Sequence, residues 1–207
     1  MTGVVTKPQD RRGKKRPGLE QQRRIIADAA VDQFIQRGSQ AVSISEICTH
    51  ADVSRHTFYR CYDHKDALVR FLYQTAVNDH IEAILQNLQI GQSGKQWMFE
   101  ALDQTIDAIL ENHRIALFVF IESANPATPA YAIIDRAFDK AAEAIQQWAI
   151  ASYGSKPLKE TIKSIFVATQ WLVQRTILAG MKPEDIDTCK DAARQVVYAA
   201  FLSFKPQ

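Results

Sequence analysis

The densest run of hydrogen-bonding side chains lies between Ser43 and Lys65, in SISEICTHADVSRHTFYRCYDHK. Ser54, Arg55, His56 and Thr57 follow one another, Tyr59 and Arg60 come next, and His64 and Lys65 close the run. Guanidinium, imidazole, hydroxyl, phenol and ammonium groups are donors suited to base edges and phosphate oxygens. Yet Ile44, Ile47, Cys48, Val53, Phe58 and Tyr62 keep helical spacing through the same stretch. So many polar side chains would be wasted in a core. They imply a surface that meets a polar partner.

The elements that must carry them are short. Ser43-Ile44-Ser45-Glu46 fits a capping box, in which a Ser hydroxyl holds the third helical amide and Glu reaches back. It predicts a helix from Ile44 to Ala51, with Ile44, Ile47 and Cys48 facing an earlier helix. Asp52-Val53 is then a turn, and Ser54 caps a third helix over Arg55 to about Cys61. Upstream, Leu19 to Gln36 carries Ile25, Ile26, Ala29, Ala30, Gln33 and Phe34 on its inner side, with Gly38 placed for a left-handed C-terminal cap. Helix, four-residue turn, helix is the helix-turn-helix plan, whose second helix enters the DNA major groove with residues near its start on base edges. Ser43, Ser54, Arg55, His56, Thr57, Tyr59, Arg60, His64 and Lys65 are the candidate DNA contacts.

This stretch resembles the DNA-binding domain of the tetracycline-repressor (TetR) family. The resemblance runs over about residues 20–80 without a gap, through Gly38, SISEICTHADVS and HTFYRCYDHKDAL. It implies that Tyr59 and Lys65 touch the phosphate backbone, with His64 beside them. Asp52 stands where the family usually has Gly, in a turn expected to need positive φ. His56 replaces another frequent Gly, and Cys61 an aromatic or His. Those two departures bear on base preference rather than fold.

The whole chain fits this reading. Its 207 residues, 46% hydrophobic and 23% charged, are ordinary for a soluble globular protein. Net charge is +2, but residues 1–70 hold 13 Lys/Arg against 8 Asp/Glu and residues 71–207 hold 12 against 15. The basic excess sits in KPQDRRGKKRPG, so residues 1–18 are expected to be a flexible basic arm, either solvated or adding phosphate contacts. Cys48, Cys61 and Cys189 have no metal-ligand or CxxC spacing and read as reduced thiols, consistent with a cytoplasmic location. No signal peptide, membrane span, cofactor fingerprint or catalytic motif is legible, so neither membrane nor cofactor is expected, and metal ligands and catalytic residues are expected to be none. Composition and Gly/Pro punctuation predict an all-α chain of about nine helices.

Residues 19–65 are therefore expected to form a three-helix helix-turn-helix DNA-binding domain (its helix-turn-helix over 43–62), and residues 66–207 a larger helical ligand-binding and dimerisation domain. IALFVFI, Ile115 to Ile121, predicts a helix covered on all sides. Aromatic residues surround it in sequence, and an apolar effector pocket is expected to involve Trp97, His113, Phe118, Glu122 and Trp148. Glu100, Asp103, Asp107 and Glu111 read as a solvated helix face. Ile162, Ile165, Phe166, Thr169, Val173, Thr176 and Ile177 share one helical face, with Val167, Trp171 and Leu178 opposite. One core needs one stripe, so the second suggests another copy. The resemblance implies a homodimer through the last two helices, with Phe166, Trp171, Val196 and Phe201 as candidates and the outward stripe left open. The expectation is a dimeric repressor released from a palindromic operator on double-stranded DNA by a small molecule. A non-inducible or architectural DNA-binding protein, and a helical enzyme, are the competing readings.

Overall fold

The computed structural model describes residues 17–89 and 95–202, with the side chains of residues 17–77 and 96–202. Residues 1–16 of the basic arm lie outside them. The described residues form helices and connecting turns with no strand: α1 (Leu19–Arg37), α2 (Ile44–His50), α3 (Arg55–Cys61), α4 (Lys65–Gln89), α5 (Lys95–Glu111), α6 (His113–Ser123), α7 (Pro129–Tyr153), α8 (Lys159–Leu178) and α9 (Pro183–Leu202). The all-α expectation holds. Among the described residues no helix is long and apolar enough to cross a membrane.

α1, α2 and α3 pack as a small unit at one end. Ile26, Ala30 and Phe34 of α1, Ile47 of α2 and Phe58 of α3 are its buried centre. That core does not stop at α3. Leu68, Val69 and Tyr73 of α4 and Phe118 of α6 belong to the same cluster. The Phe118 ring lies 5.6 Å from Phe34 and 5.0 Å from Tyr73, so an aromatic stack passes from the first helix into the larger bundle. The Tyr73 hydroxyl donates to the carbonyls of Phe118 and Val119, and burial pushes its phenol above the ordinary range.

The remaining helices wrap α6, which touches α1, α4, α5, α7 and α8. Ala116, Phe118 and Val119 are buried, but Ile121 is 36% exposed, so α6 is not covered on all sides as its composition predicts. The acidic row on α5 also needs correcting. Asp103 binds Arg194 and Asp107 binds Lys190, tying α5 to α9, so part of that row faces a basic neighbour instead of water.

Candidate nucleic-acid interface and effector cavity

Local sequence sets the turn between α2 and α3. The Ser43 hydroxyl accepts from the Glu46 amide while Glu46 accepts from the Ser43 amide, the reciprocal box that its spacing predicts. The Ser43 amide, followed by the Arg37 guanidinium, holds the Glu46 carboxyl down at about 2. α2 ends in a Schellman arrangement: the Val53 amide donates to Cys48 and the Asp52 amide to Thr49. Asp52 has φ +51°, the left-handed value expected at a position usually held by Gly. Ser54 then accepts from the Thr57 amide and caps α3.

These caps leave α3 with its first turn in solvent. Arg55 and His56 are exposed, and Tyr59 is 45% exposed while Phe58, one residue earlier, is fully buried. A seven-residue helix thus holds its core with Phe58 and Cys61 and offers its other side outward. Beneath it the Arg23 guanidinium sits 5.0 Å from the ring centres of both Tyr62 and Phe71, while the Tyr62 hydroxyl donates to the Arg23 carbonyl.

Other candidate contacts have structural partners. Ser43 is spent in its cap. The hydroxyls of Ser54 and Thr57 share a hydrogen bond of 2.9 Å. Arg60 donates to the Gln22 side chain on α1. His64 caps α4, its Nδ1 accepting from the Ala67 amide at 3.0 Å, so its Nε2 carries the proton and faces outward chemistry as a donor. The Lys65 ammonium folds back to the carbonyls of Gln40 at 3.2 Å and Val42 at 2.9 Å. It pins the α1–α2 loop and keeps one N–H for another acceptor.

That loop has a second anchor. Glu122, 4% exposed at the end of α6, accepts from the Ser39 amide and the Ser39 hydroxyl. Gly38 just before has φ +76° with ψ +151°, a combination open essentially to Gly, so it is not the left-handed cap its position predicts. The turn it makes delivers Ser39 to Glu122.

A cavity of about 280 Å³ lies among α4 to α9. Trp97 and Trp148, with rings 5.4 Å apart, line it, as do Phe138 and Phe166 at 5.2 Å. His113, Phe118 and Glu122 do not. His113 stays near its own helix start beside the Leu110 carbonyl, Phe118 fills the core shared with α1, and Glu122 is held by Ser39. Thr169, already placed on one face of α8, and Gln170 also line it, though neither is among the pocket candidates. Alternation of the α8 faces was the cue for Thr169, while nothing local marks Gln170. Val119 and Phe120 of α6 also form cavity wall, one turn before Glu122.

The two-sided α8 resolves as follows. Ile162, Val173, Thr176 and Ile177 face inward and are buried. Val167, Trp171 and Leu178 are 57%, 55% and 69% exposed, with Val196 of α9 beside them at 36%. Trp171 and Val196 lie along one surface groove. Phe166 and Phe201, expected as interface candidates, instead line the cavity, because each falls on the inward stripe of its helix.

Helix-turn-helix geometry with an exposed recognition helix, joined through one core to an α-bundle holding a cavity, defines a two-part DNA-binding regulator architecture. Residues 26–71 match the bacterial regulatory proteins of the tetR family. The chain is 32% identical over 101 residues to an HTH-type transcriptional repressor of Mycobacterium tuberculosis, spanning 49% of this chain and 51% of that protein. It thus spans about half the length of the curated relatives it matches. Among solved structures, the fatty acid degradation regulator FadR of Bacillus halodurans aligns with TM-score 0.70 and 15% identity over 88% of this chain and 96% of that one. A TetR-like transcriptional regulator from Rhodococcus gives 0.69 and 18% over 91% and 99%. FadR of Bacillus subtilis, in complex with stearoyl-CoA, gives 0.67 and 17% over 84% and 96%. The N-terminal unit thus matches the tetR family over residues 26–71, and the fold of the described residues is that of TetR-like regulators.

Proposed function

We propose that this protein is a transcriptional regulator, not an enzyme, that binds operator DNA as a homodimer and releases it when a small molecule occupies the bundle cavity. The observation that carries this reading is the capped α3, with Arg55, His56 and Tyr59 exposed at its solvent side over a buried Phe58. Arg55 and His56 would meet base edges, and Tyr59, His64 and the spare Lys65 proton would meet phosphates. Trp171 and Val196 would lie between two copies. That the structurally similar FadR of Bacillus subtilis is found in complex with stearoyl-CoA supports a small-molecule ligand for this protein. Cytoplasmic location follows from action on DNA.

Coupling has a physical route. Val119 and Phe120 feel the cavity, Glu122 on the same helix holds Ser39, and Lys65 holds the same loop from α4. A ligand that prefers one arrangement of α4 and α6 would change the placement of α3 in each copy. Fluorescence anisotropy of full-length protein on its own upstream DNA and on scrambled DNA, across salt, tests the function. The expected preference is at least ~10³-fold at physiological salt. Equal affinity for both would replace the regulator with an architectural protein.

A further inference from the structure

The cavity wall constrains what enters it more sharply than the family fold does. Apart from Thr105, Thr169 and Gln170, every described lining residue is apolar, and among the described residues no charged side chain lines it. Thr105 already donates to the Ala101 carbonyl within its own helix. The Gln170 carboxamide has no hydrogen-bond partner among the described residues. Glu122, the carboxylate that would have welcomed a cation, is closed against Ser39 outside the lining.

We infer that the ligand is an uncharged, compact, mainly hydrocarbon molecule carrying one hydroxyl or carbonyl, and that Gln170 reads this group. The inference rests on the cavity being the effector site. Size follows from volume: about 280 Å³ is roughly twice the ~150 Å³ cavity that holds benzene, which corresponds to a two-ring skeleton. Charge follows from the wall. A carboxylate or ammonium drawn into it would lose its hydration and gain no described counter-charge, so it would have to neutralise or stay out. Specificity follows from the carboxamide, which both donates and accepts and so suits a hydroxyl or a carbonyl. Aromatic walls from Trp97 and Trp148, their rings tilted 40° to each other, favour a flat ring system over a flexible chain.

Four matched probes isolate these terms: naphthalene, 2-naphthol, 2-naphthoate and 2-naphthylmethylammonium, with stearoyl-CoA as a long-chain charged comparison. Calorimetric titration of the full-length wild-type protein should rank 2-naphthol tightest, about five- to tenfold above naphthalene. Both charged naphthyl probes and stearoyl-CoA should bind at least about tenfold more weakly than 2-naphthol. In Gln170→Leu the advantage of 2-naphthol over naphthalene should vanish while naphthalene affinity persists. Retained naphthol preference in that variant would remove Gln170 from the role. A charged probe or stearoyl-CoA binding as tightly as 2-naphthol in the wild type would overturn the ligand class whether or not the variant folds. DNA affinity is measured in parallel on the same sample. Loss of every probe with sequence-preferring DNA binding intact overturns this inference alone, whereas absence of sequence preference overturns the regulator reading beneath it.

Discussion

Glu122 and Ser39, 83 positions apart in the chain, meet through two hydrogen bonds of 2.6 and 2.5 Å, one from the Ser39 amide and one from its hydroxyl. A single buried carboxylate thereby satisfies a loop of the DNA-reading unit from the last turn of α6. Glu122→Ala leaves that amide and hydroxyl without their acceptor. We expect a stability loss of about 1–3 kcal/mol by thermal or urea unfolding. Adding Ser39→Ala to that variant should cost less than Ser39→Ala alone, because the two positions share one interaction. Simple additivity in this cycle would dissolve the link.

Gly38 and Asp52 are expected to respond oppositely to exchange. A Cβ at Gly38 would meet Glu122 Oε1 at 3.8 Å, an ordinary contact, so the cost of Gly38→Ala is backbone strain. It should be about 1–3 kcal/mol. Asp52→Gly relieves a left-handed Asp but loosens the unfolded chain, so the net change should be a gain between zero and about 1 kcal/mol. Chemical unfolding of both variants checks the contrast. A harmless Gly38→Ala would rule out the strained turn.

At the DNA surface, Arg55→Ala or His56→Ala should change sequence preference, at about 1–3 kcal/mol per lost base contact. Lys65→Ala should weaken binding to all DNA alike and lower the salt slope by about one phosphate. It should also cost folding stability, since the ammonium holds the Gln40 and Val42 carbonyls. Isotherms across salt separate these effects. An unchanged slope in the Lys65 variant removes it from the phosphate contacts and leaves it as a loop anchor.

If the proposed dimer forms through the outer face of α8, where Trp171 is exposed, Trp171→Glu should sediment as a folded monomer at micromolar concentrations where the wild type is dimeric. Phe201→Glu should instead unfold the bundle or close the cavity, since Phe201 is 4% exposed against Trp148 and Tyr153. A dimeric Trp171→Glu protein would move the interface elsewhere.

Acid should spare the α2 cap. Glu46 has its carboxyl depressed from 4.5 to about 2, so its contribution is present above the ordinary value and fades only as pH falls through the depressed one. Carbon NMR of the Glu46 carboxyl should show a midpoint near 2; a midpoint near 4.5 would mean that the box and the Arg37 pair do not persist in solution.

Much of the DNA-reading unit was legible because it depends on near neighbours in sequence. Capping at Ser43 and Ser54, the turn at Asp52 and the Phe58/Tyr59 alternation all follow from contacts within a few residues. The cavity depends on long-range packing, and there residue type misled. Phe118 belongs to an apolar run, but its direction was set by Phe34 and Tyr73. Glu122 is expected in the pocket by its place on α6, but its carboxylate is taken by a serine 83 positions away. On α8 both stripes were visible, and only the positions of α7 and α9 decide that Phe166 turns inward and Trp171 outward.

The chain of rings from Phe34 through Phe118 to Tyr73 has a consequence for descent and for protein engineering. The helix-turn-helix unit and the bundle look like exchangeable cassettes in sequence, yet they interlock through three rings rather than meeting at a polar seam. Grafting this reader onto another family member's bundle would set Phe34 against a stranger's side chains. Successful hybrids must therefore carry the partners of Phe34 with them, and lineages that trade readers should show compensating changes on α4 and α6.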